Sequence, residues 1–205
     1  MQRRVQRHRL MAPWAVGLLG LTLLGGGLAI AWPRPPSEGS PDVTFARDMS
    51  AHHAQAVDLS VTMFKRAADP AVKLLAQDIL LTQQAQIGQM GGWLMAWGRP
   101  LAGREAPMAG MDPAHMGLAS AEDMRDVETL PVRTAQTRYL VLMRRHHQGG
   151  VTMANSALEG VKRPEVRAFA ERVVAAQTSE IQAIDALLEK LSAQPQPEMD
   201  GMHHE

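Results

Sequence analysis

Between residues 45 and 63 the core-type positions fall at 45, 49, 52, 56, 59 and 63, in alternating steps of four and three. That spacing follows one face of an α-helix. The same series returns 94 residues later at 139, 143, 146, 150, 153 and 157. Each series passes through a histidine, so His52 and His146 stand where a helix is expected to face its core. His53 and His147 follow about 100° round the helix. The offset persists downstream, with Pro70 against Pro164, Val72 against Val166, Ile79 against Val173, Gln83 against Gln177 and Ile87 against Ile181. Residues 42–97 and 136–191 therefore read as two copies of one unit.

Each unit predicts two helices. Asp42 or Thr44 is placed to cap the first, which runs to about Asp69. Pro70 suits the opening turn of the second, which continues to about Trp97 and stops at Gly98-Arg99-Pro100. The connection, 98–135, holds one short helical candidate with Ser120 and Asp123 as a capping box. Pro131 precedes a third long helix to about Gly160, and Pro164 opens a fourth that ends near Ser192. With no strand pattern, the class is all-α: two αα-hairpins over 42–192 forming a four-helix bundle. The connection is long enough to let helices 1 and 3 run parallel or antiparallel. Parallel helices would set the two histidine pairs at one height; antiparallel helices would set them nearer opposite ends.

The N-terminus changes the setting. Residues 1–11 carry four arginines and no acid, and Trp14 to Trp32 is uncharged. As a helix that run spans roughly 27 Å, near the thickness of a bilayer core. Segment 1–32 is expected to be an uncleaved membrane anchor with its arginines inside the cell. Ala29-Ile30-Ala31 offers the alternative of a cleaved signal. Residues 33–41, rich in proline, read as a stiff spacer. The bulk of the chain is expected outside the cytoplasm, periplasmic or extracellular. Setting aside 1–31 leaves 17 basic and 21 acidic residues of the original 21 and 21. Nothing in that balance points to nucleic acid.

Candidate chemistry rests on methionine and histidine, for the chain has fourteen methionines, eight histidines and no cysteine. Met49 lies one helical turn before His52 and His53, as Met143 does before His146 and His147, so each trio can converge on one patch. Thioether and neutral imidazole suit copper, and zinc also accepts imidazole. A second cluster, Met108, Met111, His115 and Met116, lies in the connection, where it could wrap Cu(I) or pack over the bundle as a flap. A third, Met199, Met202, His203 and His204, lies in the tail at 193–205, which is expected to be mobile. Gln83 and Gln177 are expected to hydrogen-bond across the bundle or to the paired histidines. The bland alternative makes one histidine of each pair a hydrogen-bonded core residue and the methionines plain packing.

The stretches Phe45–Asp58 and Tyr139–Met153, with the Gln-x-x-Glu-Ile element at Gln177–Ile181, resemble the domain-of-unknown-function 305 family. The resemblance covers roughly residues 42–192. It implies a ferritin-like four-helix bundle, commonly exported or membrane-anchored, with periplasmic copper handling in some members. The first copy departs by carrying Gln86 where glutamate would be expected. The second carries Arg144-Arg145 before its histidines, which would repel a cation if they pointed inward.

The expected function is a non-enzymatic, extracytoplasmic metal-binding protein that sequesters or passes on copper. The alternative is a metal-free, membrane-tethered interaction module with structural or pH-sensing histidines, its protein partner or self-association left open. A di-iron oxidase would need Glu-x-x-His elements, and the sequence contains none.

Overall fold

The computed structural model describes residues 34–193, which include five helices and no strand. Every contact below lies within the unit that begins at Pro35. The helices are α1 (Pro41–Arg66), α2 (Pro70–Ala96), α3 (Ala121–Thr129), α4 (Val132–Leu158) and α5 (Pro164–Ala193). The expected anchor at 1–32 and the Met/His tail at 199–204 lie outside the described residues. Among the described residues no helix is long and apolar enough to cross a membrane.

Local chemistry fixes most ends. Ser40, not Asp42 or Thr44, caps α1, its hydroxyl accepting from Val43 N at 3.4 Å. Pro41, read from sequence as spacer, is the first helical residue, where its missing N–H costs nothing. Asp69 caps α2 through Ala71 N and Val72 N, and Ser120 with Asp123 forms the expected capping box on α3.

The displaced candidate Asp42 has a tertiary role. Its buried Oδ1 accepts from Lys162 N and Arg163 N, in the turn between α4 and α5. Gln136, its counterpart 94 residues on, accepts from Ala68 N and Asp69 N, in the turn between α1 and α2. Each hairpin thus begins by holding the other's turn. Such a reciprocal contact requires α1 and α4 to run antiparallel, and the four long helices go up, down, down, up.

The connection makes this topology. It climbs α1 from start to end: Arg47 donates to Pro100 O, Met108 N to Asp48 Oδ1, Ala119 N to Gln55 Oε1, and Arg66 to Val127 O and Leu130 O. Asp123 on α3 then meets Arg138 at 2.5 Å and Arg145 at 3.2 Å, tying the strap to α4. Two apolar clusters fill the interior. One gathers Phe45, Met49, Met90, Leu94, Met153 and Phe169. The other gathers Leu59, Met63, Ile79, Tyr139, Met143 and Ile184.

Candidate metal centre

Antiparallel helices still bring the histidine pairs to one height, contrary to the sequence expectation. His52 and His146 each sit close to the middle of a helix, α1 spanning 41–66 and α4 spanning 132–158. Midpoints coincide whichever way two helices run. The rings of His52 and His146 stack with centroids 3.8 Å apart, tilted by 32°. His53 and His147 each lie 6.3 Å from their sequence neighbour, and all four residues are fully buried.

The hydrogen bonds of these rings decide what they offer. His52 Nε2 lies 2.9 Å from Met116 O, and His146 Nε2 lies 3.0 Å from His52 O. A carbonyl only accepts, so both nitrogens carry the proton and donate. His53 Nε2 donates to Gln86 Oε1 at 2.7 Å and His147 Nε2 to Glu180 Oε2 at 2.5 Å. In a neutral ring with Nε2 protonated, Nδ1 holds a bare lone pair. All four Nδ1 atoms are buried with no hydrogen-bond partner among the described residues. An outer oxygen that fixes the tautomer while the other nitrogen stays free is how proteins prepare imidazole for a metal.

Burial favours the neutral form of His52, His53 and His146. It lowers the His52 pKa to about 4 and that of His53 to about 3, the latter helped by neighbouring His52. His146 is driven well below the ordinary value by burial and then by His52. Neutral imidazole is the form that binds a metal.

Two further buried polar residues, Gln83 and Gln177, lie one helical turn before the histidines' partners Gln86 and Glu180. Gln83 and Gln177 are buried, and the expected hydrogen bonds to the histidines are not made: both atoms of each amide lack a partner among the described residues. Gln177 lies against Gly150, where a Cβ would fall 2.2 Å from its Oε1. An unpaired buried polar group costs about 1–3 kcal/mol. Four such nitrogens and two such amides are therefore a poor device for stability, and the nitrogens are a good one for holding an ion. Among the described residues no group of three or more histidine and acidic side chains is already assembled to hold a metal ion. Loading would draw the rings together.

The methionines divide. Met49 and Met143 are fully buried but belong to the two different apolar clusters, because antiparallel helices send the residue before each histidine pair in opposite directions. The structure thus separates the two methionines from each other, while each stays one helical turn before its own histidine pair. In the connection, Met108 and Met116 pack on the cluster around Phe45. Met116 and the exposed Met111 join Met153 of α4 and Asp48 of α1 around a cleft of about 330 Å³. Met153 was missed in the sequence, where its core-face position gave a sufficient reason for an apolar residue. Met108 and His115 do not line this cleft. Arg144 and Arg145 turn outward to Asp185 and Asp123 and put no positive charge into the layer.

The strap explains where the two copies diverge. Met116 crosses α4 so closely that a Cβ on Gly149 would lie 1.9 Å from Met116 O. A Cβ on Gly117, at φ +69°, would likewise fall 2.1 Å from Arg145 O. The first copy carries Gln55 where the second has Gly149, and Gln55 bonds both N and O of Ala119.

A buried imidazole layer inside a bundle of two repeated hairpins defines the class of protein, and comparison places it. The model of the family described as Domain of unknown function (DUF305) matches residues 42–188. The chain belongs to the DUF305 family. It is similar to a DUF305 fragment from Deinococcus radiodurans, at 37% identity and a TM-score of 0.68, over 76% of this chain and 99% of that one. A DUF305 protein from Streptomyces coelicolor shares 38% identity at a TM-score of 0.72, over 82% and 100%. CopM in its Cu(II)-bound form shares 25% identity at a TM-score of 0.60, over 73% and 96%. An uncharacterized protein of Acanthamoeba polyphaga mimivirus is 36% identical over 53 residues, 26% of this chain. That match spans about a third (35%) of the relative's length.

Proposed function

We propose that this protein binds copper outside the cytoplasm and stores or hands on the ion without acting as an enzyme. One observation carries the reading: four buried histidines commit their Nε2–H groups to protein oxygens and leave four Nδ1 lone pairs unpaired. His52, His53, His146 and His147 would hold the ion. Imidazole suits Cu(II) and zinc, and the Met111–Met116–Met153 cleft would receive Cu(I) through thioethers. Copper is preferred to zinc because of the likeness to CopM, a protein seen with Cu(II) bound. The topology supports a ferritin-like reading of the bundle, and the apolar N-terminal run supports a membrane-anchored one.

A metal-free reading is favoured by one fact, that no group of three histidine and acidic donors is pre-assembled among the described residues. Melting the purified protein with and without Cu(II), with zinc as control, separates the two. A ligand held only by the folded state raises the melting temperature, by about 2.7 kcal/mol of stability at a hundredfold excess over Kd. A rise with copper that disappears in His52→Ala/His146→Ala supports the proposal. No rise with either metal sinks it.

A further inference from the structure

The outer face of α2 carries an apolar stripe along its whole length, turned away from the other helices. Leu74, Leu81 and Met95 are 58%, 60% and 66% exposed. They stand at intervals of seven and fourteen residues, so they form one stripe, and Gly88 occupies the missing seventh position between Leu81 and Met95. Gln77, Gln84 and Ala85 are exposed on the flank of the stripe. Across residues 73–96 the only charged side chains are Lys73 and Asp78.

At Gly88 the face is hollow. Nothing lies within 4 Å of a Cβ built there, and Gly88 and Gly91 floor an apolar cleft of about 310 Å³ walled by Ile87, Met95 and Leu101, itself 59% exposed. A stripe with a leucine knob at one position and a hole one heptad later is self-complementary when two copies run antiparallel. With the two-fold axis between Gln84 and Ala85, Leu81 of each copy enters the other's cleft at Gly88. Leu74 then meets Met95. Gln77 meets Gly92, which has no side chain to crowd the glutamine, and the uncharged amide can stay hydrated at the rim. The two knob-and-hole contacts repeat roughly 10 Å apart, seven residues at 1.5 Å each. The same patch serving both partners is the signature of a closed two-fold dimer.

From this complementarity we infer that the chain pairs with a second copy of itself through α2. A membrane surface fits the face less well, since helices that lie on membranes carry basic residues along their polar flank and α2 has Lys73 alone. A single helix pair buries less than the roughly 800 Å² per partner of a standard interface, which puts the pairing among the weak, transient ones. The pairing leaves the histidine layer untouched and is independent of the metal reading.

The test uses the full-length chain, which has no native cysteine. Ala85→Cys places a thiol beside the axis, and Ala186→Cys places one on the exposed surface of α5. A short bis-maleimide should cross-link Ala85→Cys into dimers at least tenfold faster than Ala186→Cys. Adding Leu81→Glu should abolish that advantage while leaving the melting temperature unchanged, because Leu81 is exposed in the protomer. Equal rates at the two positions would overturn the inference. So would an Ala85→Cys rate that Leu81→Glu leaves intact, or co-sedimentation with zwitterionic vesicles that Leu81→Glu removes in the absence of cross-linked dimer.

Discussion

Gly149→Ala tests whether the connecting strap is part of the histidine layer. The added Cβ would stand 1.9 Å from Met116 O, 2.2 Å from Met116 C and 2.9 Å from Met116 Cα. These are backbone atoms, so no rotamer change relieves the contact. Restoring an ordinary separation near 3.4 Å moves the strap by about 1.5 Å. Such a shift pulls Met116 O away from His52 Nε2, now 2.9 Å distant, beyond hydrogen-bonding range. Losing a buried hydrogen bond costs about 1–3 kcal/mol, and forcing volume into a packed contact costs about 1–3 kcal/mol more. The better helix propensity of alanine returns up to about 1 kcal/mol. The net loss, about 1–5 kcal/mol, corresponds to a fall of roughly 2–20 °C in Tm for a domain of this size. Two controls bracket it. Gly150→Ala meets only the end of the Gln177 side chain, which has no hydrogen bond to lose and can turn aside, so its cost should be smaller. Gly92→Ala meets nothing within 4 Å and should stabilise by about 0.5–1 kcal/mol. Differential scanning calorimetry of the three variants reads the order directly. If Gly149→Ala melts with or above Gly92→Ala, the strap does not press on α4 and is no cover for the layer.

Acid should destabilise the copper-free protein through the same histidines. Their folded pKa values, about 4 for His52 and about 3 for His53, lie below the ordinary 6.5, so the unfolded chain binds protons first. Stability is complete above pH 6.5 and declines as pH falls toward 4 and 3, by about 2 kcal/mol per ring at pH 5. Urea unfolding at pH 7.5 and 5 should show this loss, reduced in His52→Gln/His53→Gln; a flat profile would mean the rings are hydrated in the fold. Asp42→Ala removes the acceptor for Lys162 N and Arg163 N and should cost about 2–4 kcal/mol. Gln136→Ala, its counterpart in the other hairpin, should cost about as much; urea denaturation checks the pair, and near-neutral values for both would undo the reciprocal-turn argument.

What the sequence disclosed and what it concealed have physical causes. The helices were legible because burial on one face imposes a 3.6-residue period, and the duplication because both hairpins bury the same positions. The proline and Ser120–Asp123 starts were legible because caps are local. Asp42 was misread for the complementary reason: its side chain serves a turn 120 residues away, and only topology brings that turn near. The path of the strap left no pattern, since irregular backbone has no period to detect. For the histidines' partners a signal was present and undervalued. Gln86 and Glu180 lie 33 residues after His53 and His147 alike. Read as a glutamate lost from one copy, the pair appeared asymmetric, yet both residues present an oxygen to Nε2–H. The more conspicuous Gln83 and Gln177 were assigned that duty and do not perform it. The height of the histidine pairs could have been found by noting that each lies at the middle of its helix.

The central claim is that buried Nδ1 lone pairs hold copper, and anomalous diffraction at the copper absorption edge from Cu(II)-loaded crystals addresses it most directly. A peak inside the layer, within coordination distance of Nδ1 atoms of both histidine pairs, is the predicted result. Copper confined to the Met111–Met116–Met153 cleft or to the surface, with the His52 and His146 rings still 3.8 Å apart, would contradict it.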